Sequence, residues 1–214
     1  MNEDSLSTDV LVIGGGVAAL RAAIAAREAG ADVIMCCKGV IGRSGNTVVS
    51  TADMSAYVSG VGSDDSEDTF AADTLQAGAS IADESLVRLL AERSGQAVLD
   101  LQRLGVPLLR DGDVIDRTRA AGHSRARTYR ANAPSLAANK GLALSVPLAE
   151  RARALGVRCL DRTPTVELIG DGTVRAPSER ICGAVAVDFD ADRAVVIRAG
   201  AVIVGAGGAS VRSD

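Results

Sequence analysis

The chain has 214 residues, a formal net charge of −4, 47% hydrophobic residues and 23 glycines, with two Tyr, two Phe and no Trp. That length suits one domain over residues 1–214 with a core of Ala, Val, Leu and Ile, since domains run roughly 50 to 250 residues. The acidic balance supplies no basic field for nucleic acid, and no apolar run approaches the roughly 20 residues that span a bilayer, so neither nucleic acid nor direct membrane insertion is expected.

Residues 1–8 read as a polar, acidic tail without the basic start and apolar stretch of a secretory signal, which points to the cytoplasm. Residues 9–13 form a predicted buried strand, 17–29 an alanine-rich helix with Leu20 and Ile24 at helical spacing, and 31–36 a second strand. Strand, helix and strand within about 30 residues make a βαβ unit with a parallel pair. Residues 38–49, rich in glycine, serine and asparagine, read as a loop. Asp64, Asp65, Glu67 and Asp68 precede Phe70, Leu75 and Ala79, where a helix dipole favours carboxylates, so they mark a helix start and not a metal site. Residues 85–104 read as a long amphipathic helix closed by Gly105, with Leu86, Leu89, Leu90, Val98, Leu101 and Leu104 apolar and Arg88, Glu92, Arg93, Gln96 and Arg103 solvated. Residues 117–130 are the most basic stretch, hold the only histidine, His123, and read as a loop. A helix over 140–155 containing Pro147 follows, then strands at 157–160 and 165–169. Residues 181–189 and 194–198 flank Asp190, Ala191 and Asp192 as a hairpin before a final strand at 201–204. The fold class is therefore α/β, a Rossmann-like parallel sheet with a small antiparallel β-meander.

Two apolar runs end in glycine: Val10 to Ile13 leads into Gly14, Gly15 and Gly16, and Ala201 to Val204 into Gly205, Ala206, Gly207 and Gly208. A strand that ends in such a turn and opens a helix lets backbone approach a pyrophosphate, whose charge sits against the helix N-terminus. Two such strands point to FAD. In the first turn Ala19 stands at the third glycine position of the dinucleotide fingerprint. The second strand ends in Cys36, Cys37 and Lys38 where an NAD site carries an acid, which weakens a reading as an NAD-binding module. Lys38 either meets ligand oxygens or is a plain surface lysine. Cys36, Cys37, Cys159 and Cys182 form no Cys-x-x-Cys pair and read as reduced thiols, not as a disulfide framework or zinc site.

Residues 33–39 followed by Arg43, Ser44, Gly45, Asn46 and Thr47 resemble the flavoprotein subunit family of succinate dehydrogenase, fumarate reductase and L-aspartate oxidase. Asp73-Thr74, Leu104 to Pro107, Gly122 to Arg125 with Arg127-Thr128, and residues 202–209 agree with it in the same order. The resemblance implies a Rossmann-like FAD-binding domain. It places Gly14, Gly15, Gly16 and Ala19 at the pyrophosphate, and Cys37, Lys38, Gly45, Asn46 and Thr47 along the FAD. Val166 would offer backbone to adenine, and Gly205, Ala206, Gly207 and Gly208 would form the second backbone approach. Members that attach FAD covalently have a histidine just before the loop threonine; Asn46 stands there and implies a non-covalent, dissociable FAD. The family's Ala-Gln-Gly-Gly-like segment is here Ser50-Thr51-Ala52-Asp53, which puts Asp53 where bare backbone is expected near the flavin ring.

The family's capping domain and most of its substrate-binding residues lie beyond the second glycine element, so the capping domain is expected to be absent from these residues. A C-terminal flavoprotein portion or partner subunit would complete the site, with an iron–sulfur electron-transfer subunit for a further partner. Two functions stay open. One is the FAD-binding part of a fumarate reductase- or succinate dehydrogenase-like oxidoreductase transferring hydride through flavin N5, and the other is a non-catalytic flavin-binding subunit of a larger complex. His123 and Arg125 either touch the flavin end or a subunit interface or are structural, the reading favoured for a lone histidine in a basic loop, and no catalytic residue is assigned.

Overall fold

A computed structural model describes residues 4–61, 64–79, 81–132, 140–171 and 180–208. In chain order the elements are β1 (Asp4–Ile13), α1 (Val17–Glu28), β2 (Val33–Cys36), α2 (Asn46–Val49), β3 (Asp53–Ser55), α3 (Glu67–Ala77), α4 (Glu84–Arg103) and β4 (Arg110–Asp111). They continue with β5 (Val114–Ile115), β6 (Arg117–Thr118), β7 (Thr128–Arg130), α5 (Leu142–Ala154), β8 (Arg158–Leu160), β9 (Thr165–Gly170), β10 (Ile181–Asp188) and β11 (Arg193–Val204). The chain divides into two compact units, residues 1–49 with 144–214 and residues 50–143.

The first unit is built on a six-stranded sheet in the order β8-β2-β1-β11-β10-β9. β1 lies parallel to β2 and β11, and β2 parallel to β8, while β10 runs antiparallel to β11 and β9. The parallel core with an antiparallel meander is the arrangement expected from the apolar runs. All four residues of β2 are buried, as befits an interior parallel strand covered on both faces. One side of the sheet holds a core of Leu11, Ile34, Cys36, Ala184, Val195, Ile197 and Ala199. α1 buries Ala19, Leu20, Ala23 and Ile24, where two alanines let the helix axis come close. Arg27 then ties the helix end down, its Nε donating to the Leu155 carbonyl at 2.9 Å and its Nη1 to that of Ala31 at 2.9 Å.

Three local features differ from the sequence reading. β1 starts at Asp4, so residues 4–8 pair with 195–199 of β11 instead of forming a polar tail. Leu6 packs against the core while Ser5 and Ser7 face water; one apolar residue among polar ones is too weak an alternation to read as a strand. β11 is continuous where two strands were expected, because Gly200 lets the Asp9 carbonyl come within 3.0 Å of where a Cβ would stand. The loop after β2 ends in the one-turn helix α2.

The second unit joins α3 and α4 to small sheets in the orders β3-β7-β6 and β4-β5. Both helices are capped by side chains: Ser66 accepts from Thr69 N, and Asp83 from Ser85 N and Leu86 N. Phe70, Ala71, Val87 and Ala91 form the contact core. The face that α4 buries is Val87, Ala91, Ser94, Gly95, Val98 and Leu101, whereas Leu86, Leu89 and Leu90 are 63%, 49% and 47% exposed. Small residues decided this: a Cβ on Gly95 would lie 2.1 Å from the Tyr57 carbonyl oxygen, so the helix approaches along its small side chains. Residues 117–130, expected as a loop, contain β6 and β7.

Candidate functional site: a cavity at the strand ends

Ile13 of β1 stands level with Cys36 of β2 on one side and Val204 of β11 on the other. Three parallel strands therefore finish at the same height, and the turns after them converge. Gly14 N donates to the Cys36 carbonyl at 2.8 Å and Gly205 N to that of Ile13 at 2.7 Å. Gly14 has φ +126°, and a Cβ there would lie 2.2 Å from the Gly205 carbonyl oxygen. A Cβ on Gly205 would in turn lie 2.9 Å from that of Ala19. The two glycine elements of the sequence thus meet backbone to backbone, with Ala19 beneath them.

A cavity of about 550 Å³ opens over this junction. Gly14, Gly15, Gly16, Cys37, Lys38, Gly45, Asn46, Thr47, Gly205, Ala206 and Gly207 line it. Ala19, Val166 and Gly208 are not among the lining residues. Ala19 is fully buried in the helix-to-strand contact, and the Val166 side chain is exposed on β9. In place of Val166 the wall has Pro164 and Thr165, and Ile13, Val17, Ala18, Cys36, Ser44 and Val204 complete it. Pro164 and Thr165 belong to no motif; the connection from β8, the neighbour of β2, to β9 carries them past Cys37, whose carbonyl accepts from Thr163 N. Ala209, the last residue of the 202–209 match, lies outside the described residues.

The loop after β2 is braced by distant segments. Gly42 N donates to the Gly15 carbonyl at 3.0 Å, and Ser145 Oγ of α5 donates to the Gly42 carbonyl at 2.7 Å. Ile41 N donates to Asp161 Oδ1 at 2.8 Å, and Thr163 N to the Cys37 carbonyl at 2.7 Å. α1 opens on Gly16 with no side-chain cap and no acid in its first turn, and Val17 N donates to Thr47 Oγ1 at 3.4 Å. Lys38 is the charged residue of the wall. Burial and the neighbouring Cys37 push the Cys36 thiol up to about 12, so it stays neutral. A helix N-terminus without its own carboxylate, a lysine and apolar walls make a site for an anion carrying flat apolar groups. Backbone at the Gly14–Gly205 junction leaves the space that side chains would fill. The residues therefore fit a dinucleotide, and the fold and site define a dinucleotide-binding protein.

The second unit holds a buried ion cluster. Arg127 donates to Asp65 through Nε and Nη2 at 3.0 and 2.6 Å, and through Nη1 to Asp73 Oδ2. Asp73 also accepts from Ser124 N at 2.8 Å and Ser124 Oγ at 2.9 Å. Burial raises both carboxyls, but hydrogen bonds and the Arg127 charge outweigh it and leave each below the ordinary range. His123 Nδ1 lies 3.0 Å from Arg127 Nη1; a guanidinium only donates, so this nitrogen accepts. Burial and that cation lower the His123 pKa. Asp53 pairs in register with Arg130. Ala52, 1% exposed, has φ +62°, a left-handed conformation at a position where the resemblance expects glycine.

Residues 9–213 match the family described as FAD binding domain, and the chain belongs to it. It is the FAD-binding domain of the flavoprotein family that includes fumarate reductase, succinate dehydrogenase and L-aspartate oxidase, and its cofactor is FAD. It is 32% identical over 209 residues to L-aspartate oxidase of Vibrio cholerae, covering 94% of this chain and 37% of that protein. It is 29% identical over 212 residues to a fumarate reductase (CoM/CoB) subunit of Methanothermobacter marburgensis, covering 98% and 36%. Among solved structures, Mycobacterium smegmatis Sdh1 is similar with a TM-score of 0.80 at 26% identity, covering 96% of this chain and 34% of that one. A mutant E. coli quinol fumarate reductase FrdA shares the fold with a TM-score of 0.84 at 24% identity, covering 96% and 33%. The chain thus spans about a third of the length of these relatives. No helix among the described residues is long and apolar enough to cross a membrane.

Proposed function

We propose that the chain forms the FAD-binding part of a fumarate reductase- or succinate dehydrogenase-like oxidoreductase, whose active site is completed by a C-terminal flavoprotein portion or a partner subunit. The observation that carries this reading is the meeting of Gly14 and Gly205 at the ends of three parallel strands. Bound there, FAD would supply a flavin that exchanges hydride through N5. Gly14, Gly15, Gly16, Gly205, Ala206 and Gly207 would admit the pyrophosphate by backbone, and the first turn of α1 would orient it. Lys38 would offset its charge, and Cys37, Gly45, Asn46 and Thr47 would hold the loop side. Ala19 would act through Gly205, by keeping helix and strand close. Asn46 in place of a histidine supports a non-covalent FAD.

A dicarboxylate such as succinate or fumarate is the substrate class that the resemblance favours, and the electron partner would be an iron–sulfur subunit. Relatives named as the flavoprotein subunit of 8-methylmenaquinol:fumarate reductase and as one subunit of a CoM/CoB fumarate reductase support assembly with other chains. Four free thiols, Cys36, Cys37, Cys159 and Cys182, suit a reducing cytoplasm. A second reading, a non-catalytic flavin-binding subunit, draws support from Ala52 and Asp53 in place of the glycine pair near the ring.

The visible spectrum of the purified chain tests the cofactor site. Flavin bands that pass entirely into the supernatant on acid precipitation are expected; a chain that takes up no FAD sinks the proposal. Fumarate-dependent reoxidation of the photoreduced flavin, with the C-terminal portion present, separates enzyme from structural subunit.

A further inference from the structure

Thr165 Oγ1 is buried and has no hydrogen-bond partner among the described residues, although Thr165 itself lines the cavity. Buried hydroxyls are almost always satisfied, and an orphaned one costs stability. Nor is the residue loosely held. Two residues before it, Thr163 N donates to the Cys37 carbonyl at 2.7 Å, and next to it the Pro164 carbonyl accepts from Val187 N at 3.0 Å. Thr165 then pairs with Ala186 in the first position of β9. With the backbone pinned, the freedom left is rotation about χ1, and threonine has more than one accessible rotamer. A rotation of about 120° there carries the hydroxyl to another of the three staggered positions of a residue that lines the cavity.

The place of Thr165 says which part of a dinucleotide it meets. The pyrophosphate belongs at Gly14 to Gly16 and the start of α1, and the end of the second strand faces the adenosine ribose in folds of this kind. Thr163 is bonded to that strand end at Cys37, so Thr165 stands on the adenosine side. Cys37 and Lys38 supply no carboxylate for the adenosine hydroxyls there. Adenosine offers both donors and acceptors, and a hydroxyl can match either. We propose that the Thr165 hydroxyl, which has no partner among the described residues, turns to hydrogen-bond the adenosine half of FAD, an inference that rests on the cavity being the FAD site.

The test uses the full chain stripped of flavin, with FAD and ADP titrated by calorimetry and Tm measured before loading. Thr165→Val keeps the shape and removes the hydroxyl. It is expected to raise the Tm of the stripped chain by about 2–4 °C and to weaken FAD and ADP alike by about 2- to 10-fold, the span of one neutral hydrogen bond. Thr165→Ser should keep the wild-type affinity for both. Should valine not be accommodated, Thr165→Ala should show the same loss of affinity. A valine or alanine variant that binds FAD and ADP as tightly as wild type, or loses FAD affinity without losing ADP affinity, overturns the proposal. If the wild-type chain itself binds neither ligand, the cavity assignment falls and this one with it, an outcome distinct from an unaffected variant.

Discussion

The surroundings of Gly14 and of Arg127 deal with buried polar groups in opposite ways. At Arg127 the protein answers itself: the guanidinium meets Asp65, Asp73 and His123, and Asp73 takes two further bonds from Ser124. At Gly14 it does not. The start of α1 has no acid and no side-chain cap at Gly16, the wall brings a lysine without a carboxylate, and Thr165 Oγ1 has no partner among the described residues. Both regions hold enclosed polar groups, yet one matches them internally and the other does not. The difference teaches where to look for a ligand: charge that is matched internally holds a fold, whereas donors arranged without acceptors await one.

The largest blow to that contrast should come from Gly14→Val. Its side chain would collide with the Gly205 carbonyl oxygen 2.2 Å from the Cβ, at a φ of +126° that valine avoids. Loss of flavin and a fall of more than about 4 kcal/mol in unfolding free energy are expected. A variant that still copurifies with flavin would break the claim that this junction is the cofactor floor.

Arg127→Gln should act on stability through the other region. Removing the cation leaves Asp65 and Asp73 buried without their partner, an expected loss of about 3–5 kcal/mol in urea unfolding. A loss below about 1 kcal/mol, on the order of a surface pair, would show the cluster to be solvated.

The pH dependence of stability sharpens the same point. His123 is lowered in the folded chain from 6.5, so the unfolded chain takes up the proton more readily, and stability should fall as the pH drops through about 6.5. Asp65 and Asp73 are lowered from 3.8, so their contribution is present above that value and is lost as the pH falls through it and below. Urea midpoints measured across this range should show two declining steps, and a midpoint constant between pH values of about 7.5 and 5 would contradict the burial of His123 against Arg127.

The smallest effect is expected at Ala52, whose left-handed φ of +62° strains an L-residue. Ala52→Gly relieves it, less the extra flexibility glycine gives the unfolded chain, for a net gain of about 0.5–1 kcal/mol. A destabilised variant would mean that the methyl group buried there contributes more by its contacts than the backbone loses.

Much of this was legible in residues 9–36 and 201–208, because buried parallel strands and glycine turns carry local signals: a continuous apolar run, then residues that only a close backbone approach requires. The resemblance extended the reading to the loop at Gly45 to Thr47, which does line the cavity. Beside Val166, to which the resemblance pointed, Pro164 and Thr165 line the cavity with no local signal to mark them. α4 misled for a related reason. Its leucines carry the apolar signal, but Gly95 and Ala91 set how closely the helix approaches, and close approach determined the buried face.

What the sequence determined by itself was the chemistry of the two strand endings, since glycine at a turn and lysine beside it are local facts about backbone freedom and charge. Tertiary structure alone decided that the two endings touch, because Gly14 and Gly205 lie almost two hundred residues apart and meet only through the shared register of β1, β2 and β11. The same is true of the ion cluster, which joins Asp65, Asp73, His123 and Arg127 across segments with no common period. Long-range pairing is set by which faces can be buried together, and that is a property of the assembled sheet and helices, not of any one stretch of chain.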